Sequence, residues 1–242
     1  MLLDLNFNFD FSNPKVLIVN AVIILFLIMG VYDGYKKGFI DGIFRLLGVV
    51  LALFLAYMYK DKLSVILYTH LPFIKLGGLF RGVSVINILI YELIAFVLIF
   101  IVAILVVDLI VKTSGIVEKI LKIIPLFEFV NGVLGAIIGL AQTVLILYFV
   151  IFVFKFGCNL FGFQMQPSLA DNVLEIQILD EKFGSTISSF NEIASLAKSY
   201  EDSKDKSELN DKSIDILLKY GIISQENLDI LIKNNKIAYH SN

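Results

Sequence analysis

Long apolar runs separated by short charged stretches dominate the first two-thirds of the chain, at residues 16–32, 39–59, 85–111 and 129–156. A hydrocarbon core about 30 Å thick is crossed by roughly 20 helical residues rising 1.5 Å each, with about 17 as the lower limit. Each run meets that length. The pattern therefore predicts an all-α, polytopic membrane protein with four transmembrane helices. Past residue 156 the pattern turns polar, which divides the chain into a four-span membrane domain, 1–156, and an acidic, helical C-terminal tail, 157–242.

The connections carry further elements. Residues 33–38 make a short turn, whereas 60–84 is too apolar for a solvated loop. Pro72 and the Gly77-Gly78 pair stop a helix from crossing there, so an interfacial or re-entrant segment is expected. Residues 116–124 place Ile116, Val117, Ile120, Leu121 and Ile124 on one helical face. Glu118, Lys119 and Lys122 take the other, as in a helix lying on the membrane surface, and Pro125 ends it. In the tail, Ile187, Phe190, Ile193, Leu196 and Ala197 give residues 185–198 one apolar helical face, and 200–212 reads as a charged linker. Asp211 is expected to cap a helix holding Ile214, Leu217, Leu218 and Tyr220, closed by Gly221. Ser224 caps a second one through Leu228, Leu231 and Ile232. A helical hairpin of this size has too little core to stand alone. It is expected to dock on another membrane or envelope protein, on its own chain, or on the membrane surface.

Composition and charge agree with this division. Hydrophobic residues make up 58% of the chain, above the range of about 45–50% for soluble domains. The tail holds 13 acidic and 8 basic residues, and the rest of the chain 9 acidic and 12 basic. No basic stripe pairs with exposed aromatics, so no nucleic-acid partner is expected; the lipid bilayer is the obvious one. The single cysteine, Cys158, excludes an internal disulfide and a cysteine zinc site, and reads as a small apolar filler. Ahead of the first run the flank is acidic, and no A-x-A-like site follows it, so this run is expected to stay as an anchor. Basic residues split nearly evenly between the two sides. Asp4, Asp10 and Lys15 facing Lys36-Lys37 across the first span, together with the acidic tail, favour both termini outside the cytoplasm.

Small and polar residues within the runs are the candidate functional positions. Gly30, Gly34, Gly38 and Gly42 recur at intervals of four, and Gly132, Gly135 and Gly139 open the fourth span. Glycines so spaced let two helix backbones approach closely in lipid, where packing drives association. A compact bundle follows, with a homo-oligomer through one glycine face left open. The intramembrane polar candidates are Asn20, Arg45, Glu92, Asp108, Asn131 and Gln142, with Asn87 a further amide. A charge at the bilayer centre costs about 2.5–3.5 kcal/mol on insertion scales, so each needs a partner or a route to the interface. Arg45 lies about 9 Å past Phe39 by helical rise and can snorkel. Asp108 sits near the end of its run. Glu92 is the hardest to accommodate, and Arg45 enters from the opposite end of the bundle, so a direct pair between them is not expected.

The order of these features resembles the colicin V production protein family of bacterial inner-membrane proteins. Lys37-Gly38-Phe39 matches the family's basic-Gly-Phe step, and Asn131, Leu134-Gly135 and Gly139 match its glycine ladder in span four. Asn20 stands where an acidic residue is expected. Asn131 is also an amide in place of an acid, Gly132 replaces a basic partner, and Gln142-Thr143 replaces a final Arg-Gly. The resemblance covers about residues 16–156 and implies a four-span protein associated with peptide-toxin production or export and with envelope maintenance. Some members carry an extracytoplasmic protease domain after span four, which implies an outward tail here. This tail has no protease motif, and its histidine, His240, stands alone.

No metal-ligand spacing, phosphate loop or nucleophile motif occurs, and His70 and His240 lack ligand partners in sequence. The chain is therefore not expected to be an enzyme or to carry a cofactor. Three classes remain: an accessory or assembly protein of the inner membrane, a small oligomeric transporter or channel, and, least supported, a membrane-embedded enzyme.

Overall fold

The computed structural model describes residues 13–114, 128–160, 168–174, 177–200 and 206–240. Helices account for most of them, and no strand occurs among the described residues. Four helices are long and apolar enough to span a bilayer: α1 (Pro14–Lys37), α2 (Phe39–His70), α3 (Ile86–Ser114) and α4 (Glu128–Leu160). The tail adds α5 (Leu169–Leu174), α6 (Gln177–Ser199), α7 (Ser207–Lys219) and α8 (Gln225–Lys233). The surface helix expected at 116–124 lies outside the described residues.

Local chemistry sets the helix ends. Asn13 caps α1, its side chain accepting from the Lys15 N–H at 3.1 Å, and Pro14 occupies the first turn, where a missing N–H costs nothing. Gly38, with φ +82°, ends α1, and α2 restarts at Phe39. The second apolar run ends at residue 59, but its helix runs on. α2 continues to His70, because Lys60, Asp61 and Lys62 are ordinary helix residues, and Lys60 finds carboxylate partners at 2.5 Å (Asp61) and 2.9 Å (Glu92). Pro72 then bars further helix. The following residues form an irregular strap with a 3₁₀ turn at Gly78–Phe80.

The chain forms two compact units, each built from several stretches of sequence. The first comprises the described residues of Met1–Leu55, Phe100–Lys155 and Met165–Ile176. In it, Ile23, Leu147, Ile151 and Ala170 pack α1, α4 and α5 together. The second comprises the described residues of Ala56–Ile99, Phe156–Gln164 and Gln177–Asn242. Its core joins the end of α2 (Tyr68), the start of α3 (Ile86, Leu89) and the tail helices (Ile193, Leu209, Ile214, Leu217, Leu228, Leu231). Phe190 stacks against both Phe80 and Phe156, with ring centroids 5.4 and 5.0 Å apart.

Within this second unit the tail hairpin docks on its own chain. Asn210 on α7 accepts from the Ser84 hydroxyl at 3.1 Å and donates to the Gly82 carbonyl at 3.0 Å, and Lys236 donates to the Leu71 carbonyl at 3.0 Å. Two details of the hairpin differ from expectation. α7 begins at Ser207, which shortens the linker, and Asp211 lies inside the helix, where it accepts from the His240 N–H at 3.2 Å instead of capping. Gly221 closes α7 with φ +64°, the Ile222 N–H reaching back to the Leu217 carbonyl. Ser224 caps α8 through the Asn227 N–H at 3.2 Å. Near the end of the chain, the Tyr239 hydroxyl donates to Asp215 at 2.7 Å, a bond that raises the phenol's pKa above its ordinary value.

Candidate functional site

In the first unit the two glycine sets face each other across α1 and α4. A Cβ placed on Gly34 would lie 2.3 Å from the Gly135 carbonyl oxygen, and one on Gly139 would lie 2.3 Å from that of Gly30. Backbone meets backbone, with no room for any side chain. Toward one end of this contact Thr143 takes the space beside Gly30 and donates its hydroxyl to the Gly139 carbonyl at 2.8 Å. Toward the other end, the Tyr35 ring covers Gly132, and Ile138 packs on Gly42.

At Gly38 the contact becomes polar. Asn131 on α4 presses against Gly38, and its Oδ1 accepts the Phe39 N–H at 2.8 Å. This amide caps the first turn of α2, whose early N–H groups lack helical acceptors. The backbone step Lys37-Gly38-Phe39 and the Asn131 to Gly139 ladder are therefore one structural assembly. Leu134 lies within the same stretch of α4, and Asn20 is buried on α1.

Arg45 also belongs to the first unit. Its Nε lies 2.6 Å from Asp41, one helical turn earlier, and its Nη1 lies 3.9 Å from Asp108 on α3. Asp108 also pairs with Lys112 at 2.5 Å. Arg45 and Asp108 border a cavity of about 250 Å³, also lined by Phe44, Gly48, Val107 and Gln142. Asp41 had no signal in the apolar pattern beyond its i,i+4 spacing to Arg45, which is the spacing that supports such a pair.

Glu92 lies in the second unit and is 5% exposed. Lys60 is its partner, as above. Lys60 stands about 32 Å beyond Phe39 at 1.5 Å per residue, near the far edge of a hydrocarbon core. That position accounts for a carboxylate the sequence could not accommodate. Glu92 Oε1 and the Tyr68 hydroxyl are buried without hydrogen-bond partners among the described residues. Asn87 serves the backbone: it accepts from the Ile74 N–H at 2.7 Å and donates to the Ile74 and Ser84 carbonyls at 3.2 and 3.1 Å, pinning the strap. Among the described residues no group of three His, Cys, Asp or Glu could hold a metal ion.

Four long apolar helices, a glycine-packed contact between α1 and α4, and partners for Arg45, Asp108 and Glu92 define a multi-pass membrane protein. The colicin V production protein family model matches residues 19–172, and the chain belongs to that family. It is also similar to the uncharacterized transmembrane protein YshB of Bacillus subtilis (strain 168), at 28% identity over 140 residues, covering 56% of this chain and 76% of that protein. No solved structure matches.

Proposed function

We propose that the chain is a non-enzymatic accessory or assembly protein of the bacterial inner membrane, serving peptide-toxin production or export and envelope maintenance. The observation that carries this reading is the closed α1–α4 contact, in which backbone atoms meet and leave no path between those helices. Arg45, Asp108 and Glu92 each have a local ion-pair partner, as a scaffold requires of its buried charges. The acidic tail, with 13 acidic and 8 basic residues, is the part of the chain we assign to contact with another envelope protein, and the flank charges favour both termini outside the cytoplasm. Crosslinking from engineered cysteines on α8 in intact cells should capture one specific envelope protein. Capture of none, together with a cytoplasmic signal from a reporter fused at residue 160, would sink the reading.

A transporter or channel is the second reading, favoured by the charged cavity beside Arg45, Asp108 and Gln142. Purified protein in liposomes should show no ion or solute flux; a flux abolished by Asp108→Asn would transfer the assignment to this alternative.

A further inference from the structure

Where α1 ends and α4 begins, the first unit holds a cavity of about 550 Å³ lined by Tyr32, Tyr35, Lys36, Phe129, Asn131 and Gly132. Its polar lining consists of groups that can donate hydrogen bonds: an ammonium, two phenol hydroxyls and a carboxamide. No carboxylate occurs among its described lining residues. The two neighbouring lysines differ in their pairing. Lys37 is engaged by Asp33, whereas Lys36 has no carboxylate partner among the described residues. Asn131 spends its oxygen on the Phe39 N–H, and its NH₂ has no acceptor among the described residues. The apolar wall comes from Phe129, which is 70% exposed, and from the tyrosine rings, with Tyr32 at 68% exposed.

Position decides which anion suits this lining. Lys36 is in the last turn of one span and Phe129 in the first turn of another, so the cavity lies at the headgroup level. Tyrosine and lysine at that level place their apolar bodies among acyl chains and their polar tips among phosphates. We infer that this cavity binds the phosphodiester headgroup of an anionic phospholipid, with Lys36 supplying the charge, Tyr32, Tyr35 and the Asn131 NH₂ the hydrogen bonds, and Phe129 the contact to glycerol and acyl carbons. The same Asn131 ties the α1–α2 turn to α4, so an occupied site would brace that junction.

The full chain, purified and exchanged into phosphatidylcholine nanodiscs, would be titrated with phosphatidylglycerol, and bound lipid counted by native mass spectrometry. One phosphatidylglycerol per chain should be retained at least fivefold over phosphatidylcholine. Lys36→Gln and Tyr35→Phe should each reduce that preference at least threefold, while Lys37→Gln leaves it unchanged. Equal retention in Lys36→Gln and Lys37→Gln would overturn the assignment, as would displacement of the lipid by millimolar inorganic phosphate, which would make this a free-phosphate site. Both lysines are exposed, so neither substitution threatens folding, and Tyr35→Phe keeps the ring that covers Gly132.

Discussion

At Gly34 the difference between hydrogen and methyl decides whether two helices can meet. The Gly135 carbonyl opposite is backbone and cannot rotate away, so even alanine forces α1 and α4 apart. Overpacking of this kind costs roughly 1–3 kcal/mol. Gly34→Ala should therefore lower the midpoint of unfolding in detergent, and Gly77→Ala, whose Cβ would meet nothing within 4 Å, should leave it unchanged. Equal effects at the two positions would mean that close helix approach is not what holds the bundle. The Lys60–Glu92 pair makes a second residue-scale case. Removing one partner of a buried pair costs roughly 3–5 kcal/mol, because a charge is left desolvated and alone. The Lys60 side chain keeps 16% of its exposure, which places the cost of Lys60→Met toward the lower end of that range. Lys60→Met combined with Glu92→Leu should recover most of the loss, as read by a double-mutant cycle of unfolding free energies.

At the scale of elements, hydropathy located every span but misplaced the end of α2. Lys60, Asp61 and Lys62 look like a loop to a hydropathy window, yet they are compatible with helix, and the stop came from Pro72. The glycine spacing announced close packing. Which helix met which was invisible, because the partner of Gly34 lies a hundred residues away in sequence. The tail hairpin was readable from its caps, Gly221 and Ser224, since capping is local chemistry. Its docking was not, because it rests on Asn210, a polar residue on a polar helix whose bonds run to the Ser84 hydroxyl and the Gly82 carbonyl, more than a hundred residues earlier. Asn210→Ala removes those bonds and leaves the Gly82 carbonyl without this donor. The Gly82 bond is exposed and the Ser84 bond part-buried, so their loss costs about 0.5–1.5 kcal/mol each. Hydrogen exchange in α7 and α8 should accelerate by at least fivefold while exchange in α1 is unchanged. Uniform acceleration would show instead that the hairpin and the membrane helices open together.

For the whole molecule, the number of crossings links two separate observations. With four spans, the connection after α2 and the segment after α4 emerge on the same side of the membrane. The second unit requires the same arrangement independently, since its core combines the strap between α2 and α3 with helices of the tail. A chain in which only one of α3 and α4 crossed could not form that core without pulling polar helices through lipid. Ser84 and Lys236 line one cavity of about 220 Å³, so cysteines at these positions lie within reach of a short bifunctional maleimide. In a Cys158→Ser background, Ser84→Cys with Lys236→Cys should crosslink within one chain in sealed membrane vesicles, giving a faster-migrating monomer on denaturing gels. Both cysteines should also react with an impermeant thiol reagent from the same face. Labelling from opposite faces would break the four-span assignment. Crosslinking between chains in place of within them would mean that the hairpin is exchanged between copies, and the tail would then be the seat of assembly itself.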